Sequence, residues 1–140
     1  MSELFFVYGT LTDDGQVANL LDSYRFVGDA VCVGLRRIDG RYPTLVPGDR
    51  VTGRLLATDE TDRLDRYEGV DRGLYYRFSV PVVDEGDSAV PAEAATVYIG
   101  EPAGLGIDPA ADTGWPGSEA FTDRVGAYLA SNPVRIVSLR

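Results

Sequence analysis

Glu68 closes the stretch Leu64-Asp65-Arg66-Tyr67-Glu68-Gly69, in which Leu64 and Tyr67 recur at helical spacing and Gly69 is the residue type that ends a helix. A carboxylate in the last turn of a helix sits at the negative end of the macrodipole, which disfavours its charged form by about 0.3–1 kcal/mol. Partial burial beside Tyr67, Tyr75 and Tyr76 would push the same way, raising the carboxyl pKa and equipping it to exchange protons near neutrality. A solvated helix-end glutamate, or a partner for Arg66 or Arg72, fits the same spacing. The second stretch able to do chemistry is Tyr8-Gly9-Thr10-Leu11, where the apolar run Leu4-Phe5-Phe6-Val7 stops at a glycine followed by a hydroxyl. A buried strand that ends so abruptly delivers backbone amides to a turn, an arrangement suited to holding an anion. A first strand entering an ordinary turn has the same pattern.

The residue types that are missing narrow the chemistry. The 140-residue chain has no histidine and one cysteine, and all 13 of its basic residues are arginine. Ser-His-Asp and Cys-His machinery, a Schiff-base lysine, a Walker-type phosphate loop and an ordinary zinc site are thereby excluded. Catalysis is left to carboxylates, tyrosines, hydroxyls, arginines and backbone amides, and the expectation is chemistry without a metal or cofactor. Gly104-Leu105-Gly106 hints at a dinucleotide loop, but Pro109 stands where the third glycine belongs. Cys32 lies inside an apolar run and reads as a small core residue.

Charge bounds the partners. The 22 acidic against 13 basic residues give a formal charge of −9, which opposes binding to nucleic acid or to anionic membrane surfaces. A lysine-free surface with aspartate in excess of glutamate is that of a halophilic protein, soluble where salt screens its self-repulsion. With a single cysteine, no intrachain disulfide can form. Met1-Ser2-Glu3 lacks the basic start of a targeting segment, and no apolar run approaches the roughly 18 residues that span a bilayer. The expectation is a cytoplasmic single domain over residues 1–140, a monomer or small homo-oligomer.

The positioning elements follow from pattern. Asp13 or Asp14 caps a short helix carrying Val17, Leu20, Leu21 and Tyr24, and residues 25–38 are extended, with bulges or a bend at Gly28 and Gly34. Gly40 to Val46 is a turn into a short strand, Pro47-Gly48-Asp49 turns the chain again, and Val51 to Ala57 is a strand bent at Gly53. Thr58 or Asp59 caps the helix that ends at Glu68, with Leu64 and Tyr67 as its core face. Residues 75–83 form a strand with Tyr76, Phe78, Val80 and Val82 on one face and Pro81 near an edge or at a bulge, paired antiparallel to residues 93–99. Residues 100–117 read as a long surface excursion, Ser118 caps a last helix with Glu119 in its first turn, and Val134 to Leu139 returns as a strand. Short bent strands with three helices that do not alternate with them predict an α+β fold, a small mixed sheet curled towards a β-barrel.

Four motifs in order, Phe6-Val7-Tyr8-Gly9-Thr10-Leu11, Tyr42-Pro43-Thr44-Leu45-Val46, Leu64-Asp65-Arg66-Tyr67-Glu68-Gly69 and Tyr76-Arg77 before a valine-rich strand, resemble the γ-glutamylcyclotransferase-like (AIG2-like) family over residues 4–99. The resemblance implies a small α+β barrel, a substrate-binding loop at Tyr8, Gly9, Thr10 and Leu11, Glu68 as acid/base, and Tyr76 as a further substrate contact. Tyr75 is its neighbour, and a one-residue shift exchanges their faces. The implied partner is a small γ-glutamyl compound, cyclised to 5-oxoproline with release of an amine. Thr12-Asp13-Asp14 departs from the basic residues that many members carry after the loop. A non-catalytic module binding a small carboxylate, or a related amidohydrolase, would use the same fold.

Overall fold

The apolar run at the amino terminus becomes strand β1 (Glu3–Val7), and its two faces account for the architecture. In the computed structural model, which describes residues 3–39, 43–70, 73–84, 94–101, 105, 115, 117 and 119–139, the other strands are β2 (Arg25–Ile38), β3 (Thr44–Thr58), β4 (Tyr76–Asp84), β5 (Ala94–Ile99) and β6 (Arg135–Ser138). The helices are α1 (Asp14–Leu20), α2 (Thr61–Glu68) and α3 (Phe121–Ser131), with a 3-10 turn at Thr10–Thr12. The strands close into a barrel in the order β1-β3-β2-β6-β4-β5.

Alternation along each strand sorts side chains to the two faces of the barrel wall. Leu4 and Phe6 of β1, opposite Ala57 and Leu55 of β3, join buried residues from all six strands, among them Cys32, Val80, Val97 and Ile136, in the barrel interior. Phe5 and Val7 take the other phase and form an outer cluster with Leu56, Tyr98, Val17 and Leu21 of the α1 region, and Leu64 of α2. One five-residue strand thus serves two cores. Gly53 is obligatory where β3 crosses β1: a Cβ there would run into the Val7 carbonyl and the Phe6 ring.

The bulges expected at Gly28 and Gly34 are present, as register shifts between Phe26 and Gly28 and between Val33 and Leu35. Pro47-Gly48-Asp49 is a correction: instead of separating two strands, it lies inside the continuous β3. Val33 pairs with Arg50 and Leu35 with Pro47, so Gly48 and Asp49 are accommodated opposite the irregularity at Gly34 and both long strands bend together. Pro81 marks a change of partner. Up to that residue β4 runs antiparallel to β5, and from Val82 onward it runs parallel to β6.

Strand β6 pairs with β2 on its other side and so closes the barrel, a role that the local sequence did not announce. Helix α3 begins at Phe121 after Ala120, so Glu119 lies before the helix instead of in its first turn; Ser118 lies outside the described residues. The expected stripe holds, with Phe121 and Val125 buried and Tyr128 and Leu129 packed against the interior cluster. The expected turn at 40–42 and most of the excursion at 100–117 fall outside the described residues, but Leu105 and Trp115 within it are buried. Among the described residues no helix is long and apolar enough to cross a membrane.

Candidate active site

Helix α2 carries Glu68 to its place. Its N-cap is Glu60, without a capping side-chain hydrogen bond, instead of the expected Thr58 or Asp59; the Thr58 hydroxyl accepts from the Glu60 N–H (3.1 Å), and the Glu60 carboxylate accepts from the N–H groups of Asp22 (3.3 Å) and Ser23 (2.5 Å). Leu64 anchors the middle in the outer core, with Asp62 in the first turn where the helix field favours an acid. Gly69 ends the helix at φ 70°, a left-handed conformation natural to glycine, and its N–H closes on Arg66 O (3.2 Å). The chain reverses there, and the Leu74 N–H returns to Gly69 O (3.0 Å). Tyr67 is a correction: it is 44% exposed, at the rim, and does not belong to the core face.

A cavity of about 300 Å³ opens beside the carboxyl-terminal end of β1. Tyr8, Gly9 and Leu11 form one wall, Tyr67 and Glu68 another, and Pro43, Leu74, Tyr75 and Tyr98 complete it with Phe6 and Val7. Burial pushes the Glu68 carboxyl up to about 7, and among the described residues no hydrogen bond or ion pair holds it. The acid is therefore poised to gain or lose a proton near neutrality inside an otherwise largely aromatic and apolar chamber.

Comparison with known proteins gives the family and the fold. The family described as gamma-glutamyl cyclotransferase, AIG2-like, matches residues 5–116. The chain belongs to that family. It is 30% identical to AIG2-like protein A of Arabidopsis thaliana over 99 residues, 67% of this chain, and spans 60% of that relative's length. Its fold is similar to a solved γ-glutamyl cyclotransferase (TM-score 0.61, 20% identity, 72% of this chain and 68% of that one). It is also similar to another Arabidopsis thaliana protein of known solution structure (TM-score 0.58, 27% identity, 91% and 83%).

Within this cyclotransferase-like chain, the residues singled out from sequence separate into two groups. Tyr8, Gly9, Leu11 and Glu68 line one cavity, although Glu68 follows the loop by more than fifty residues. Thr10 opens the 3-10 turn that follows Gly9; its side chain lies outside the described part of the molecule. Tyr76 is not on the cavity. Its ring packs against Phe121 of α3 at 5.9 Å, while Tyr75, the residue before β4, lines the cavity and donates its hydroxyl to Pro43 O (2.5 Å).

The loop's backbone is arranged for donation. The first turn bond runs from the Thr12 N–H to Gly9 O (3.1 Å), reinforced by the Thr12 hydroxyl (2.7 Å), so the amides of Gly9, Thr10 and Leu11 have no partner within the turn. Sequence reasoning passed over Tyr98 and Asp65. The Tyr98 ring stacks on Phe5 (5.9 Å), its hydroxyl donates to Asp65 Oδ1 (2.6 Å), and its carbonyl accepts from the Tyr8 hydroxyl (2.5 Å). Arg77 Nε lies 3.6 Å from the same Asp65 oxygen. Burial, Tyr75 and Glu68 hold the Tyr8 phenol well above its usual range, against Thr44 and Arg37, so it stays protonated and donating. The signal for Asp65 was its spacing, one helical turn before Glu68.

Proposed function

We propose that this chain is a cofactor-independent γ-glutamyl cyclotransferase that converts a γ-glutamyl amine or small γ-glutamyl peptide to 5-oxoproline and a free amine, with Glu68 as general acid/base. The supporting observation is the Glu68 carboxyl, raised to about 7 by burial, lining the same cavity as Tyr8, Gly9 and Leu11. The substrate's own α-amine is the nucleophile, so a chain without histidine or lysine lacks nothing that the reaction needs. Ionised Glu68 takes a proton from the α-ammonium, and the freed amine attacks the γ-carbonyl carbon. A bond from the α-nitrogen to that carbon forms, and the bond from the carbon to the leaving nitrogen breaks. Glu68 returns this proton to the departing nitrogen, and the second proton that the α-nitrogen sheds on becoming a lactam N–H also ends on the released amine, which leaves as its ammonium ion with no net proton consumed.

The other requirement is to hold the substrate bent. Gly9, Thr10 and Leu11 supply amide donors, and the aromatic walls at Tyr8, Tyr75 and Tyr98 exclude water from the reacting carbonyl. The acidic, lysine-free surface calls for assay in concentrated salt, where its charge is screened. The test is Glu68→Gln, read by mass spectrometry of 5-oxoproline from a panel of γ-glutamyl amines and dipeptides. Turnover is expected to fall by at least about a hundredfold with the fold intact, the scale of a lost acid/base. A fully active variant would remove Glu68 from the mechanism; saturable binding without turnover by the wild type would identify a binding module instead.

A further inference from the structure

The loop from Tyr8 to Thr12 is fixed through its carbonyl groups. Arg37 of β2 donates from Nη1 to Tyr8 O (2.8 Å), Thr12 donates its N–H and hydroxyl to Gly9 O, and Arg54 of β3 donates from Nη1 to Thr12 O (3.0 Å). The described part of the chain has no cis peptide, and in a trans peptide the carbonyl and the following N–H point in opposite directions. Turning Tyr8 O towards Arg37 therefore turns the Gly9 N–H away from it. Turning Gly9 O towards Thr12 does the same for the Thr10 N–H. Arg37, Thr12 and Arg54 lie off the cavity wall, whereas Tyr8, Gly9 and Leu11 are on it.

Both arginines are held in place. Arg37 Nε donates to Asp39 Oδ1 (2.9 Å). The Arg54 guanidinium lies 3.6 Å over the Phe26 ring and pairs with Asp14 (3.5 Å) and Asp29 (3.8 Å). A guanidinium on a carbonyl polarises its peptide and strengthens the paired N–H as a donor. Arg37 does this directly for the Tyr8–Gly9 peptide, and Arg54 fixes Thr12, whose neutral N–H and hydroxyl hold the Gly9 carbonyl of the Gly9–Thr10 peptide. A standing positive charge behind the loop suits a permanent anion better than one that forms only in passing. The α-carboxylate, common to a γ-glutamyl substrate and to 5-oxoproline, is such an anion.

We propose that Arg37 and Arg54 are positioning residues: from adjacent strands they hold the loop carbonyls on the outer side, so that the Gly9 and Thr10 N–H groups are presented to the ligand's α-carboxylate. This rests on the cyclotransferase reading for the identity of the ligand. The experiment measures 5-oxoproline binding by calorimetry, and KM and kcat for a γ-glutamyl amine, in Arg37→Met, Arg54→Met, Arg37→Lys and Arg54→Lys. Arg50→Met, on an exposed arginine paired with Asp49, is the control. The Met variants are expected to raise both the 5-oxoproline Kd and KM by about five- to tenfold, the scale of one hydrogen bond, with kcat within about twofold. The Lys variants recover part of the loss, and the Arg50→Met control stays at wild type. In Arg37→Met the Gly9 amide resonance shifts even without ligand.

Folded Met variants that bind 5-oxoproline like wild type would overturn the proposal. So would a fall in kcat with KM unchanged. If a Met variant fails to fold, the matching Lys variant decides, by showing either an intermediate or an unchanged Kd. A wild type that binds 5-oxoproline but releases none from any substrate would end the cyclotransferase reading and leave the binding arm to judge the arginines. A wild type that does not bind it would end both.

Discussion

Aromatic residues cluster in two places among the described residues, under α3 and around the cavity. Under α3, Trp115 meets Phe121 and Tyr128 edge-on (6.3 and 5.4 Å), and Tyr76 packs on Phe121. The Arg124 guanidinium lies 5.9 Å from the Phe121 ring, and the Tyr128 hydroxyl donates to Gly34 O (3.1 Å). Around the cavity, Tyr8, Tyr75 and Tyr98 also bury their rings, but their hydroxyls go to Tyr98 O, Pro43 O and Asp65, which holds them as walls instead of filling the centre. Aromatic residues therefore serve packing in one place and enclosure in the other. Glu68, an acid without a hydrogen-bond or ion-pair partner among the described residues, belongs to the enclosure.

The largest effect that would sharpen this contrast is on stability. Phe121→Ala is expected to cost about 3–5 kcal/mol in a denaturant melt, as loss of a buried aromatic does, while the KM of the folded fraction stays near wild type. A changed KM with little loss of stability would break the division. Next comes pH. The Glu68 pKa is raised from 4.5 to about 7, so the folded chain holds a proton that the unfolded chain has lost between those values. Stability then falls as pH rises through that window, by on the order of 3 kcal/mol in total. Melts of ligand-free wild type and Glu68→Gln at pH 5 and pH 8 check this: the variant should gain on wild type at pH 8 and lose that advantage at pH 5. The smallest effect separates adjacent tyrosines. Tyr75→Phe gives up the bond to Pro43 O at the cavity and is expected to raise KM about fivefold, the scale of one hydrogen bond, whereas Tyr76→Phe leaves kinetics unchanged.

That last pair also shows how far the sequence was legible. Alternation correctly placed Tyr76 on the face of Phe78, Val80 and Val82, and that face is the barrel interior. The cavity lies on the other phase, with Tyr75, so a correct strand assignment and a one-residue ambiguity of role coexisted. The bulges at Gly28 and Gly34 and the helix stop at Gly69 were readable because glycine's local conformational freedom is written into the chain. Pro47-Gly48-Asp49 misled because its turn chemistry is absorbed by a partner strand that bends at the same point. The barrel's closure by β6, and the convergence of Asp65, Tyr98 and Tyr8, depend on pairings between distant segments, which no local pattern specifies.

The central claim is that Glu68 exchanges protons at the cavity that the amino-terminal loop lines. The pH dependence of kcat/KM for a γ-glutamyl amine, measured in concentrated salt, tests it most directly, because that ratio reports the ionisation of the free enzyme. The predicted profile rises with pH through a midpoint near 7, where burial places the Glu68 carboxyl. A midpoint at the ordinary carboxylate value, or a profile flat across neutrality, would contradict the account.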